Sequence, residues 1–411
     1  MNTASSTPGA PHEPTPTWVV CVAGALGLVV AMGIGRFAFT PLLPLMQRDG
    51  LLGADGSAGL AAANYAGYLL GAFTAARLPG GPRARLLGAL AATALLTAAT
   101  GWADGYSTWL LLRLAAGVAS AWALVGVSSW AVPALAQRGR PEAGGIVFAG
   151  VGLGIALAGG WVWLFAGLGA QRLWQQLGLL AAALAVVVAL LWRRAGPKAA
   201  AAVASLPGPA MPRGSLPIVL CYGMLGFGYI LPATYLPAQA RALIDDPRLF
   251  GLVWPVFGLA AAASTLLAGR ALKRWHRLRL WALSHALMAA GCALPLLSLS
   301  GPALTLAALL VGGTFMVATM AGLQQARALA VANPTPLLAR MTAAFALGQI
   351  AGPLLALGLA RLGPAGGTGI EATLVLATLG LLASAGWLHR STPALETAHE
   401  PDPHTRADRA R

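Results

Sequence analysis

Charged side chains are scarce in this sequence: only 9% of the 411 residues are Asp, Glu, Lys or Arg, whereas 57% are hydrophobic. A soluble domain of this length needs a charged shell around its core, so the composition excludes an ordinary soluble protein. The 27 basic and 12 acidic residues fall mainly in short segments between long apolar runs, which is typical of a protein that crosses a membrane many times. Membrane topology explains the positive net charge, and no nucleic-acid partner is expected.

Cysteine and enzyme motifs are also missing or rare. The three cysteines, Cys21, Cys221 and Cys292, lie inside apolar runs, so no disulfide framework is expected. The sequence has no His-Glu-x-x-His zinc motif, no phosphate loop with its lysine, and no strand that leads into a Gly-rich turn. We therefore expect no enzyme activity, no metal ion and no cofactor.

The apolar runs are long enough for twelve membrane spans, because the hydrocarbon core requires about 20 apolar residues per helix. The pattern predicts an all-α membrane protein with spans at 18–45, 59–76, 86–103, 109–135, 145–168, 174–192, 216–238, 250–267, 278–299, 303–323, 342–362 and 372–388.

The connectors predict the domain organisation and the orientation. A Pro-, Gly- and Ala-rich segment divides the spans into two six-helix bundles, at residues 18–192 and 216–388, so that residues 193–215 form a linker. Residues 1–17 are predicted to be a tail, and residues 389–411 a disordered tail. The connectors on the linker's side of the membrane carry most of the arginines, so both tails and the linker are predicted to be cytoplasmic.

The two predicted bundles repeat a pattern of glycines and prolines. GIGRFAFTPLLP in the first span contains Gly33, Gly35 and Pro44, and GFGYILPATYLP in the seventh span contains Gly226, Gly228 and Pro237 with the same spacing. Many transporters consist of duplicated halves, and a constant offset of this kind supports a six-plus-six duplication. The alignment places Tyr229 at the repeat position of Arg36.

Several motifs resemble those of a known family. The twelve spans, the basic linker and the fourth-span motif from Arg113 to Gly117 are similar to the major facilitator superfamily. Within that superfamily, GIGRFAFTPLLP, NYAGYLLG in the second span and GQIAGP in the eleventh span resemble the bacterial YbfB/YjiJ transporters. The resemblance implies an alternating-access fold in which spans 1, 4, 7 and 10 line a central cavity.

Apart from Arg279 and Arg361, which lie within two residues of a span end, Arg36 and Arg113 are the only basic residues inside the predicted spans, and no predicted span contains a carboxylate. A charged arginine is costly within a bilayer, so it tends to face water, a partner or a ligand. For Arg36, contact with an anion or a gate is favoured over snorkelling to the interface, and for Arg113 the two interpretations are equally supported. Two buried cations without acidic partners indicate an anion site.

The remaining candidates are polar groups, aromatic groups and helix-bending residues. Proton coupling through His285, the one histidine in a predicted span, is the weaker interpretation, because packing is the commoner role of such a histidine. The predicted substrate-binding residues are Arg36, Arg113, Tyr229, Asn64, Tyr68, Gln324 and Gln325, and Tyr65, Tyr222, Tyr235 and Gln349 are further cavity candidates. The predicted helix-bending or packing residues are Gly33, Gly35, Pro41, Pro44, Gly226, Gly228, Pro237, Gly352 and Pro353.

These observations predict a secondary active transporter that moves a small organic anion by a rocking motion of its two halves. The expected partners are the lipid bilayer and a small-molecule substrate, and we expect a monomer in the bacterial inner membrane. One alternative is an exporter of neutral or apolar compounds in which the arginines act as a gate. A more remote alternative is a membrane sensor that transports nothing.

Overall fold

The computed structural model describes residues 16–53, 56–193, 215–243, 251–272, 274–330, 335–362 and 369–397. In this part of the chain twelve long helical segments follow one another, with short 3₁₀ turns in some connectors. We number them α1 (Thr17–Leu28, continued after an interruption by Phe39–Arg48), α2 (Gly56–Thr74), α3 (Pro82–Thr100), α4 (Tyr106–Gln137), α5 (Gly144–Leu164), α6 (Ala170–Arg193), α7 (Leu216–Leu243), α8 (Val253–Ala271), α9 (Arg277–Leu297), α10 (Gly301–Leu329), α11 (Thr335–Leu362) and α12 (Ile370–Thr397).

Ten of these segments are long and apolar enough to span a membrane. The two others, α2 and α3, are helices of 19 residues with more polar side chains. In α3 the hydroxyls of Thr93, Thr97 and Thr100 each donate to the carbonyl four residues earlier, at distances of 2.7 to 2.9 Å. These bonds allow buried threonines inside an apolar helix bundle. The twelve-helix expectation is thus met, although two of the helices are less apolar than the rest.

Helix α1 loses its regular hydrogen bonds in the middle. Residues Val29–Ile34 form a π-helical turn, and the amide of Gly35 donates to the carbonyl of Val30, five residues earlier. Pro41 has no N–H, so it cannot bond to the carbonyl of Phe37, which instead accepts from Thr40 at 3.2 Å. The interruption leaves carbonyl groups around residues 35–37 available for other donors, as in the discontinuous helices of transporters.

Glycines bring helix α5 into backbone contact with a helix on each side. A Cβ atom at Gly33 would overlap the main chain of Gly154, so α1 and α5 touch directly. On its other side α5 meets α8, where a Cβ on Gly152 would lie 2.6 Å from the carbonyl oxygen of Gly258. Gly150 and Gly154, four residues apart on α5, both approach α1, since a Cβ atom on Gly150 would overlap the main chain of Ala25.

Helices α2, α4, α8 and α10 all end on the same side of the bundle. We call this side the basic end and the other side the opposite end. At the opposite end, helices before and after the predicted linker meet: Phe39–Arg48 of α1 packs against α7, and α2 packs against α11. The ring of Phe37 lies 6.3 Å from that of Trp254 on α8, and the Tyr65 hydroxyl is 3.1 Å from Thr234 Oγ1 on α7. These contacts close the opposite end.

Three predictions at the helix ends need correction. Helix α12 continues to Thr397, so residues 389–397, predicted as the start of a disordered tail, are helical. It also begins at Ile370, which places Glu371 in its first turn, so one span does contain a carboxylate, although at an exposed end. Helix α10 extends to Leu329, six residues past the predicted end. Helices that extend beyond the hydrocarbon core explain these differences, because a hydropathy pattern detects only the core. Residues 1–15 of the tail predicted at 1–17, and most of the linker, lie outside the described residues.

Candidate functional site

Arg36 lies within the bundle at the interruption of α1, and only 2% of its surface is exposed. Its guanidinium carbon is 4.1 Å from the ring centroid of Tyr68, 5.3 Å from that of Tyr65 and 5.4 Å from that of Phe37. Aromatic faces at these distances attract a cation. The side chain does not reach the surface of the protein, so the structure provides no snorkelling path for Arg36.

The hydrogen bonds of Arg36 leave most of its donors unused. Nη2 donates to Oε1 of Gln349 on α11, whereas Nε and Nη1 have no hydrogen-bond partner among the described residues. No ion pair joins Arg36 to a carboxylate in the described part of the chain. A buried cation without an acidic partner is electrostatically costly. The free N–H groups of Arg36 are donors of the kind that bind a negatively charged group.

Gln349 connects Arg36 to Tyr229. Its Nε2 donates to the Tyr229 hydroxyl, while its Oε1 accepts from Arg36. The Tyr229 ring is stacked between Phe315 on α10, at 5.1 Å and 8°, and Phe345 on α11, at 5.5 Å and 13°. This stacking fixes the direction of the hydroxyl. Arg36 and Tyr229, which occupy equivalent positions in the predicted repeat, thus share one amide.

Arg113 on α4 is also buried, but its terminal nitrogens already have partners. Nη1 donates to the carbonyl of Gly35 at 3.5 Å, and Nη2 donates to the carbonyl of Arg36 at 3.2 Å. These carbonyls belong to the interrupted part of α1, and the guanidinium carbon lies 4.8 Å from the ring of Phe39. Arg113 therefore holds the backbone of α1 beneath Arg36, and its Nε alone lacks a partner.

Asn64 supports this arrangement from α2. Its Nδ2 donates to the Arg113 carbonyl at 2.9 Å, and its side chain is fully buried. A Cβ atom at Gly117 would overlap the Asn64 carbonyl, which explains why the Arg113-to-Gly117 motif ends in glycine. Asn64 therefore joins α2 to α4 through the main chain, and its Oδ1 has no partner among the described residues.

The structure does not bring all the predicted residues to this cluster. Gln324 is exposed on α10, and Gln325 accepts a hydrogen bond from Arg277 Nε at the basic end. His285 is buried between α9 and α12, where Nε2 accepts from Trp281 at 2.8 Å and Nδ1 lies 2.8 Å from Ser384 Oγ. Both ring nitrogens of His285 thus have partners within these two helices and none in the arginine cluster.

The predicted helix-bending residues act in two ways. Gly35 packs against Thr93 and Ser120, and the glycines of α7 pack against α11 and α12: a Cβ atom at Gly226 would overlap Phe345, and one at Gly228 would meet Leu381 at 2.6 Å. The prolines lie within helices: Pro41 and Pro44 in the second part of α1, Pro237 in α7 and Pro353 in α11. Gly352, the residue before Pro353, packs against α7, because its Cβ atom would lie 2.9 Å from Ile230. Unlike α1, α7 remains one helix.

The apolar bundle and its buried polar cluster define a multi-pass membrane transporter. The family described as uncharacterised MFS-type transporter YbfB matches residues 28–388, so the chain belongs to this family of the major facilitator superfamily. Membership implies the major facilitator fold, a membrane location and a small-molecule substrate, and the family is not one of enzymes. No curated protein matched the chain.

Proposed function

We propose that this protein is a secondary active transporter for a small organic anion, which binds to Arg36 between two six-helix halves. The bundles at 18–192 and 216–388 rock about the site and expose it alternately to either side of the membrane. The observation that carries the proposal is the buried guanidinium of Arg36, which has two unpartnered nitrogens and no carboxylate partner among the described residues.

The residues around Arg36 have separate roles in this proposal. Arg36 binds the anion, while Tyr68 and Tyr65 form the walls of the site. Arg113 and Asn64 position the interrupted backbone of α1, and Tyr229 orients Gln349. Gln324, Gln325 and His285 have no role in binding, because they lie elsewhere. Of the predicted binding residues, Arg36 alone binds the anion in this proposal, and Arg113, Asn64, Tyr68 and Tyr229 hold or surround it.

The positive-inside rule gives the orientation and the membrane. The arginine-rich connectors lie at the basic end, so we place this end and both termini in the bacterial cytoplasm. The protein is proposed to act as a monomer in the inner membrane, because each chain contains the complete cluster around Arg36. In this orientation, the opposite end faces the periplasm and is closed.

The test compares uptake of carboxylates with uptake of amides of the same shape, such as benzoate with benzamide and succinate with succinamide. Purified protein in proteoliposomes is expected to exchange carboxylates and to ignore the amides. Arg36→Met should abolish exchange, whereas Arg36→Lys, which keeps the charge but loses the planar fork, should retain a small part of it. Full exchange by both variants would end the anion proposal.

The export of neutral or apolar compounds is a second candidate, supported by the aromatic rings around Arg36 and by the stack at Tyr229. In this case Arg36 acts as a gate. The paired substrates separate the two functions, because an exporter of neutral compounds would move the amides as well as the carboxylates and would be insensitive to their charge.

A further inference from the structure

Gln349 forms a polar link between the two halves at the depth of Arg36, in addition to the one between Tyr65 and Thr234. It lies on α11, in the half after the linker, while Arg36 lies on α1, in the half before it, 313 residues earlier in the chain. The amide is fully buried, and the main chain of Gly223 closely approaches the neighbouring Gly348, which holds this turn of α11 against α7. The amide thus has a fixed position opposite Arg36.

Gln349 contacts Nη2 of Arg36, the nitrogen that both carboxylate-binding edges of the guanidinium share. An arginine presents two edges to a carboxylate, one formed by Nε and Nη2 and the other by Nη1 and Nη2, so Nη2 belongs to both. The Oε1 of Gln349 is at Nη2, and the nitrogens without partners are Nε and Nη1. Each edge uses a different N–H of Nη2, and the Gln349 oxygen accepts from Nη2, so an anion that binds through the edge that Gln349 occupies displaces the amide. Arg36 is only 2% exposed, so an anion reaches the guanidinium only when groups packed around it, such as the Gln349 amide, move.

We propose that Gln349 is an internal substitute for the substrate: its amide oxygen occupies Arg36 in the closed site, and the carboxylate of the substrate displaces it. This inference rests on the proposed function. A carboxylate binds a guanidinium more strongly than a neutral amide does, so the exchange is favourable. Because Gln349 and Arg36 belong to different halves, the exchange also releases α1 from α11. Substrate binding thereby weakens a contact between the halves, which links occupancy of the site to their movement.

Two substitutions at Gln349 have opposite expected effects. Gln349→Met keeps the length of the side chain but removes the acceptor, so the halves should separate more readily at the opposite end. Gln349→Glu supplies a permanent carboxylate to Arg36, so it should hold the halves together and compete with the substrate. A purely structural role predicts that both variants change the equilibrium in the same direction. Gln324→Met is the matched control, because it makes the same substitution at an exposed glutamine of α10 that lies outside the Arg36 cluster.

The opening of the opposite end can be measured with a cysteine at Val162, a buried residue of α5 that lines the crevice between the halves with Leu45, Pro237 and Trp254. The three native cysteines are replaced by alanine, and Val162→Cys is labelled with a membrane-impermeant maleimide in proteoliposomes. Gln349→Met should label about tenfold faster than the parent and Gln349→Glu about tenfold slower, as expected for one hydrogen bond to a charged group. Gln324→Met should change the rate less than about twofold, because surface substitutions have small effects.

Sodium benzoate provides the substrate arm. Its thermal shift on the parent protein, compared with that on Arg36→Met, tests the proposed function. Its dissociation constant should fall in Gln349→Met and rise in Gln349→Glu. If benzoate binds in an Arg36-dependent manner but labelling and affinity are unchanged in both variants, the substitute role of Gln349 is wrong and the anion site stands. If benzoate gives no Arg36-dependent shift, the anion site and the exchange both fail. Labelling that changes in the same direction in both variants overturns the exchange alone.

Discussion

Replacing Arg36 tests whether the residue exists for function or for the fold, because the two roles predict different stabilities. In Arg36→Met the unbranched side chain fills a similar space without a charge. The substitution removes one hydrogen bond from a charged group, worth about 1.5–3 kcal/mol, and three cation–π contacts, at 4.1, 5.3 and 5.4 Å, worth about 0.5–1 kcal/mol each. It also removes a desolvation penalty of several kcal/mol, because no carboxylate compensates the charge. These terms nearly cancel.

The net change in stability therefore depends on the residues that contact Arg36. Without Arg36, the amide oxygen of Gln349 is buried without a donor, which costs about 1–3 kcal/mol. Arg36→Met should therefore destabilise the protein by about this amount. Removing the whole polar group in the triple variant Arg36→Met, Gln349→Met and Tyr229→Phe should bring stability to within about 1 kcal/mol of the parent, because no buried polar atom of the group remains.

Thermal unfolding of detergent-solubilised protein measures the three stabilities, and proteoliposome exchange measures activity. Neither variant is expected to transport, although the triple variant is expected to fold as well as the parent. The reasoning is refuted if the triple variant is several kcal/mol less stable than Arg36→Met, since Arg36 would then be a structural residue. Retained exchange by either variant would equally remove Arg36 from the binding mechanism.

Three further substitutions probe the surroundings of the site. Gly33→Ala should prevent correct packing of α1 on Gly154 and reduce the yield of monodisperse protein in size-exclusion chromatography. The control is Gly160→Ala, which should have no effect because a Cβ atom there meets nothing within 4 Å. Equal yields of the two variants would contradict the backbone contact. Arg113→Lys loses the fork that joins two carbonyls of α1, so the maximal exchange rate should fall about three- to tenfold with little change in the half-saturating concentration; a large change in that concentration would indicate direct substrate contact. His285→Gln should leave the dependence of exchange on pH unchanged, since both ring nitrogens are engaged within α9 and α12; a displaced pH profile would restore the hypothesis of proton coupling.

The helices could be predicted from the sequence because each one is an apolar run bounded by charged or turn-forming residues. The positions of Arg36 and Arg113 inside spans without internal carboxylates were also evident. Their burial was not, because snorkelling depends on what surrounds a side chain and on the depth of the helix. Arg113 appeared close to a helix end, yet α4 begins at Tyr106, and the residue is buried against α1.

The partners of the arginines could not be predicted, since each depends on contacts between distant segments. Gln349 was only one of several polar residues in the spans, and nothing local to GQIAGP indicates that its amide meets Arg36. The signal that could have found it is indirect: Arg36 and Tyr229 are related by the repeat, so a residue between them would join the halves. The separation of Gln324 and Gln325 from the Arg36 cluster was equally hidden, because helical position alone does not show which neighbour a side chain contacts.

The glycines of α5 have a consequence for how this protein moves. Ordinary packed helices interlock through side chains, which must leave their grooves before one helix can shift past another. Helix α5 meets α1 through Gly154 and α8 through Gly152 with main-chain atoms, so these interfaces have few such obstacles. A small shift of α1 or α8 along α5 would need little side-chain repacking. A methyl group added at Gly152 would meet the main chain of α8, so it would obstruct this movement as well as the packing of the two helices.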